Sequence, residues 1–200
     1  MKENYRVVKS NLLIQSRQKL SLVELKMFLI MVGNVSVDDK AFKTYRMFIR
    51  EFIEDGNIRD KNIYGKLDKI TDELLTKKFK LKKANGGFEK CGYASYIGYE
   101  KGDEFITYRF DVLLKEHLLR LKKNFSNYDL RNIVNCQSVY SIRIYELIKS
   151  FEYKKQETFD LFELKAMFNC EANYKKWSDF RRYVLETAQR ELKKHSDIYF

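Results

Sequence analysis

The hydrophobic positions change period several times along the chain, and each change marks an element. Val7 to Ile14 is an apolar run that reads as extended. Ser21 and Glu24 have the spacing of a capping box, in which hydroxyl and carboxylate each satisfy an N–H at a helix start. Leu22, Leu25, Phe28, Leu29 and Val32 then recur at helical spacing and predict one buried face. A turn over Val37 to Lys43, a short strand over Thr44 to Ile49 and a helical turn over Arg50 to Glu54 follow, closing at Asp55-Gly56. Between Lys61 and Lys80 a longer helix is expected. Tyr64, Leu67, Ile70, Leu74 and Leu75 line one of its faces and leave Lys66, Lys69, Lys77 and Lys78 mostly on the others. From Phe79 to Phe110 the period moves towards two, with breaks at Gly86-Gly87 and Gly102-Asp103, which predicts a hairpin or meander. Asp111 can cap a helix to Leu121 with Val112, Leu113, Leu114, Leu118 and Leu121 on an apolar face, and at this length a core-facing helix outweighs a zipper.

The polar stretch 122–127 marks a boundary, dividing the chain into residues 1–125 and 126–200. Beyond it the order repeats. A helix from Ser138 to about Tyr153 turns Val139, Ile142, Tyr145, Ile148 and Phe151 inward; then come a short strand over Glu157 to Leu161, a helix over Leu161 to Phe168, a turn holding Cys170 to Asn173, and a long helix from Lys176 to Lys194. The two long helices also agree in register. Counting from Tyr64 and Tyr174, Ile70 matches Phe180, and Leu74-Leu75 match Val184-Leu185. Repeated order with shared register argues for two copies of one small unit. In the first copy the long helix runs into a hairpin, the plan of a winged helix, whose second helix enters the DNA major groove. In the second copy, Asp197 to Phe200 stand where that hairpin would begin. The expected fold is α+β and mainly helical: two tandem winged-helix domains, the second lacking all or part of its C-terminal wing.

Composition sharpens this picture. The 200 residues include 39 basic and 28 acidic side chains, a net charge of +11, so a polyanion is the first partner to consider. The surplus is uneven: residues 1–125 hold 26 basic and 17 acidic residues, while residues 126–200 hold 13 and 11. Proline is absent, which excludes proline-rich linkers and collagen-like repeats. The longest stretches free of charged residues, Met27 to Val37 and Asn132 to Ile142, are 11 residues each, too short to span a bilayer. The charged start does not resemble a secretion signal, so a cytoplasmic location without membrane contact is expected. Cys91, Cys136 and Cys170 form no CxxC pattern, and His117 and His195 fit no ligand spacing, so neither metal nor cofactor is expected.

Enzymatic chemistry has no positive signal. GxxxxGK[ST] and GxGxxG are both missing, and no histidine pair could seat a catalytic metal ion. The reading is therefore of a protein that is not an enzyme. Basic constellations carry more. Lys77, Lys78, Lys80, Lys82 and Lys83 gather at a helix end leading into the expected hairpin, placed for phosphate contact, with a solvated helix end as the plain alternative. Phe180, Val184, Ala188 and Leu192 bury one side of the last long helix, so Ser178, Arg181, Arg182 and Gln189 project elsewhere. Arginine can pair bidentately with guanine, and Lys175 and Lys176 at the helix start suit phosphates. Trp177 reads as packing against Phe180.

Four segments together resemble the replication initiator proteins of iteron-containing plasmids: VVKSNLLIQSRQKLSLVELKMFLIMV at 7–32, LKKNFSNYDLRNI at 121–133, SVYSIRIYELIKSF at 138–151 and YKKWSDFRRYVLETAQRELKKHSDI at 174–198. The resemblance implies two winged-helix domains that bind repeated double-stranded sites at a plasmid origin, promote its opening and recruit the host replicative helicase and chromosomal initiator. It makes Lys176 to Lys194 the main recognition helix and Arg181 and Arg182 its basic pair. It places Ser141 and Arg143 near the DNA backbone, and it implies homodimerisation through the N-terminal domain. A winged-helix transcriptional repressor without an initiation role is the alternative.

Overall fold

The computed structural model describes residues 5–36, 38–83, 85–154 and 156–200. Its first strand, β1 (Arg6–Ser10), stops at Ser10, whose hydroxyl accepts the Leu13 N–H and starts α1 (Asn11–Gln15). The extended run expected to reach Ile14 is cut short there, because a capping serine offers the backbone a competing partner. α2 (Leu22–Gly33) begins at Ser21 with both halves of the capping box made. Its burial is continuous from Glu24 to Val32 rather than confined to one face, which makes it the centre of the core. The rings of Phe79, Tyr93 and Phe110 pack on Phe28 with centroids 5.6, 5.1 and 6.2 Å away. Lys26 lies in the same buried stretch and donates to the Val134 carbonyl at 2.7 Å, while burial pushes its pKa down to about 8.

β2 (Tyr45–Phe48) and α3 (Ile49–Asp55) form where expected; Val37, which opens the expected turn before them, lies outside the described residues. α4 (Ile63–Thr76) buries Ile63, Leu67, Ile70 and Leu74 and ends before the lysine cluster. Lys77 caps it, and β3 (Lys78–Lys82) pairs antiparallel with β4 (Phe88–Gly92). β5 (Tyr96–Gly98) and β6 (Phe105–Arg109) join β2 in a three-stranded antiparallel sheet ordered β2-β6-β5. The Asp111 carboxylate accepts the Leu113 N–H, but the turn it caps is 3-10, over Val112–Leu114, before α5 (Lys115–Leu118). That tighter winding leaves Val112 and Leu113 exposed, so the leucine face expected to run to Leu121 shrinks to Leu114, Leu118 and Leu119.

β7 (Phe125–Asp129) returns to the first strand, with Arg6 opposite Asp129 and Ser10 opposite Phe125. α6 (Val139–Ser150) follows, capped by Ser138, and then α7 (Leu161–Met167), capped by Asp160 through the N–H groups of Phe162 and Glu163. The strand expected over Glu157 to Leu161 does not form: residues 157–160 have no ladder partner among the described residues, and Leu161 already belongs to α7. α8 (Trp177–Phe180), a π turn over Arg181–Leu185 and α9 (Glu186–His195) run on as the last long helix.

The two halves of the chain are joined by buried charge. Lys9 of β1 and Glu146 of α6 are both fully inaccessible and form an ion pair, and Tyr128 of β7 donates its hydroxyl to the same carboxylate. Arg143, 4% exposed, donates from Nη1 to Glu146 at 3.2 Å and from Nη2 to the carbonyls of Ile14 and Ser16 at 2.7 and 3.0 Å. Asn11 and Gln15 of α1 donate to the backbone oxygen and hydroxyl of Ser150 at the far end of α6. Burial opposes ionisation of Glu146, but Lys9 and Arg143 outweigh it and hold the carboxyl below its ordinary pKa. Removing one member of such a network strands the others in a dry environment, so Glu146→Gln is expected to cost about 3–5 kcal/mol of stability. Urea denaturation measures it, and a loss under about 1 kcal/mol, the scale of an exposed pair, would contradict the assignment.

His117 supplies a second test. Its Nδ1 lies 2.8 Å from the Ser10 hydroxyl, and burial holds its pKa below 6.5. The unfolded chain then takes up a proton before the folded one, so stability falls as pH drops through and below 6.5. Replacing His117 with Gln should flatten that fall between neutral pH and the carboxylate range; an unchanged pH profile would show that another group titrates there.

Candidate nucleic-acid interface

Alternation along β3 turns Phe79 and Leu81 into the core and leaves Lys78, Lys80 and Lys82 on the outer face. On β4, Lys90 stands directly opposite Lys80. Like charges facing each other across a strand pair destabilise it. Both ammonium groups lie over the exposed ring of Phe88, at 4.8 and 5.5 Å from its centroid, which offsets part of that repulsion. Lys90 is not among the residues expected from the sequence; its alternation with buried Cys91 is the signal that places it outward.

The five-lysine cluster is therefore not one surface. Lys77, with its side chain 21% exposed, is clamped between Glu24 and Glu73 at 2.6 and 2.9 Å; burial pulls its pKa down, but the two carboxylates prevail and raise it. Lys83 pairs with Glu89, and Lys82 lies 3.7 Å from Glu163 of α7. On α4, Lys66 pairs with Asp60, while Lys69 is exposed. Lys78 and Lys80 keep exposed side chains on the hairpin face.

The last helix has a different construction. Phe180, Val184, Ala188 and Leu192 are all fully buried and recur every four residues. An α-helix would turn such a stripe by about 40° at each step and carry its end off the core. The π turn relieves the mismatch: the Glu186 N–H reaches back to the Arg181 carbonyl and widens one turn. Arg181, Arg182 and Tyr183 consequently occupy three successive exposed positions before Val184. Arg181 Nε lies 3.0 Å from Glu186 Oε1, a solvated pair of the kind that exchanges readily. The Arg182 guanidinium sits 5.6 Å from the Tyr183 ring, and Tyr183 stacks towards Tyr174 at 6.3 Å. Lys175, Lys176 and Ser178 are exposed at the helix start, with Lys176 at the cap position. Gln189 is exposed and donates to the Phe200 carbonyl at 2.9 Å. Trp177 touches Phe180 as expected, yet half of it, 52%, faces solvent. Tyr183 and exposed Arg190 belong to the same surface and are not expected from the sequence.

Two residues are corrected. Ser141 is fully buried and Arg143 is spent on Glu146 and two carbonyls, so neither has surface with which to reach a phosphate; both sit in the junction between the halves. Among the described residues no group of His, Cys, Asp or Glu could hold a metal ion, and no helix is long and apolar enough to cross a membrane. The three thiols are buried, which raises Cys91 and Cys170 to about 11 and Cys136 to about 12, well away from thiolate chemistry.

Comparison with known proteins covers both halves. A replication initiation protein from Escherichia coli is 29% identical over 202 residues, spanning 96% of this chain, which in turn spans 63% of that relative's length. The fold superposes with a TM-score of 0.77 on the crystal structure of Pi initiator protein in complex with iteron DNA, at 17% identity and covering 100% of this chain and 90% of that one. Residues 6–149 match the profile described as initiator replication protein, WH1, and residues 160–200 that described as initiator Rep protein, WH2. The chain thus belongs to the initiator replication protein family and carries both of its winged-helix domains.

Proposed function

We propose that the protein is a plasmid replication initiator that binds direct repeats in double-stranded origin DNA, works in the cytoplasm without an enzymatic step, and promotes origin opening and recruitment of the host helicase and chromosomal initiator. The observation that carries this reading is the exposed Arg181-Arg182-Tyr183 triplet on the last helix, set outward by the π turn. Family membership and the iteron DNA bound by the Pi initiator protein support it.

The division of labour follows the charge. Residues 1–125 supply most of the positive surplus and contact the phosphate backbone through Lys78, Lys80 and Lys90 on the hairpin and Lys69 on α4. Lys82, Lys83 and Lys66 join them only by leaving their present carboxylates, and Lys77 is held too firmly to do so. Residues 126–200 read the repeat. Arg181 and Arg182 reach guanine edges, Ser178 and Gln189 add hydrogen bonds, and Lys175 and Lys176 hold phosphates at the positive end of the helix. Any homodimer would use the N-terminal domain.

Arg181→Ala and Arg182→Ala are each expected to weaken binding to the cognate repeat by about 1–3 kcal/mol while leaving affinity for unrelated DNA nearly unchanged. Fluorescence anisotropy against cognate and scrambled duplexes measures this; equal losses on both would remove the readout role. Changing Lys78, Lys80 and Lys90 to Ala should weaken binding to all sequences and lower the slope of log K against log salt by about 0.9 for each phosphate no longer neutralised. An unchanged slope would assign the hairpin lysines to a solvated face.

A further inference from the structure

A cavity of about 270 Å³ opens between the two halves of the molecule, outside the buried ion pairs. Its walls come from the loop before α2, the end of α4, the start of α6 and the turn after α7, so both domains contribute. Two of its lining residues carry buried polar atoms without hydrogen-bond partners: Nε of Arg143, 4% exposed, and Oε1 of Gln18, 5% exposed. Each such group left unsatisfied costs on the order of 1–3 kcal/mol. The orientation of the Gln18 amide is fixed, because its Nε2 donates to the Leu13 carbonyl at 2.9 Å. The cavity therefore presents an N–H donor on a permanently charged guanidinium and, separately, a carbonyl acceptor.

Charge points the same way. Arg143 shares its one carboxylate, Glu146, with Lys9. Lys19 on the cavity rim is exposed and forms no ion pair among the described residues, whereas Lys77, also on the rim, is already matched by Glu24 and Glu73. An occupant must accept from Arg143 and Lys19 and also donate to Gln18. A water can bridge the donor and the acceptor but brings no negative charge. A phosphodiester brings the charge but has no proton to give. Monohydrogen phosphate has both, as does a phosphate group attached to a hydroxylated sugar. At about 30 Å³ per water, the cavity has the volume of roughly nine waters, room for a phosphate and a small ring. Phe168 and Leu20 supply apolar wall for that ring.

We infer that this inter-domain cavity binds a small phosphate-bearing ligand with a hydroxyl donor, its phosphoryl oxygens accepting from Arg143 Nε and Lys19 Nζ and its hydroxyl donating to Gln18 Oε1. Such a ligand ties the two DNA-binding domains together at a second place and holds their relative orientation. The site is distinct from the proposed DNA-reading surface, so its failure leaves that reading intact.

Calorimetric titration of the full chain at neutral pH, without DNA, tests the site with four probes: inorganic phosphate, ribose 5-phosphate, sulfate and dimethyl phosphate. Saturable binding is expected for phosphate or ribose 5-phosphate, the tighter of the two identifying free anion or sugar phosphate as the source. Sulfate and dimethyl phosphate, which lack the hydroxyl, should bind about tenfold more weakly or worse. Lys19→Ala, at an exposed position outside the core, should weaken the preferred probe by about tenfold without lowering stability. Arg143→Lys should do the same, provided circular dichroism shows it folded; Lys19→Ala decides the matter if it is not. Three outcomes overturn the inference: no saturation by any probe; sulfate equal to phosphate with no effect of Lys19→Ala, meaning an adventitious ion only; or dimethyl phosphate equal to phosphate, meaning a contact for the DNA backbone.

Discussion

One carboxylate holds the two domains in register. Glu146 lies on α6, reached only after the chain has closed its first domain, and yet it meets Lys9 of the first strand and Tyr128 of the strand paired to it. Without those partners it would be a bare buried charge, and without Glu146 so would Lys9 and Arg143. The requirement is mutual and geometric: the second domain can sit only where all of these groups meet at once. Apolar packing would allow α6 to slide on the first domain, whereas a hydrogen-bonded ion network sets its position and rotation. The forks from Arg143 to Ile14 and Ser16 and from Asn11 and Gln15 to Ser150 extend the same constraint along the helix.

A rigid junction matters because the two domains meet DNA differently. Lysines dominate the first and face one another across the hairpin, an arrangement that an anionic backbone would relieve. The second is almost neutral, and its few arginines stand at defined positions on a helix whose π turn keeps its apolar stripe on the core. Backbone affinity and base readout then reinforce each other only if the spacing between hairpin and helix is fixed, which is what the buried network does. Arg17 adds a clasp at the periphery: its guanidinium forks onto Asn169 and Glu171 in the turn that precedes the last helix.

Much of this was legible in the sequence where the determinant was local. Ser21 with Glu24, Ser138 and Asp160 each cap the helix expected of them, and the shared register of Ile70 with Phe180 and Leu74 with Val184 corresponds to four buried positions. Determinants that depend on distant partners were not legible. Period-two alternation shows that 125–129 can be a strand but not that its partner is β1. Arg143 looks like a surface charge until Ile14, Ser16 and Glu146 are brought around it, and Lys77 looks free until Glu24 arrives from a different helix. The π turn is an intermediate case. The four-residue spacing from Phe180 to Leu192 was visible, but only the backbone shows how the helix accommodates it.

The most direct test of the central claim, that this is a DNA-reading initiator rather than a basic protein with an incidental surface, is a hydroxyl-radical footprint of the full chain on the DNA flanking its own gene at about 0.1 M salt, where non-specific binding has already weakened. The account predicts protection repeated at regular intervals across tandem direct repeats next to an AT-rich tract. Protection of a single palindrome would make it a repressor, and uniform or absent protection would contradict sequence-specific recognition altogether.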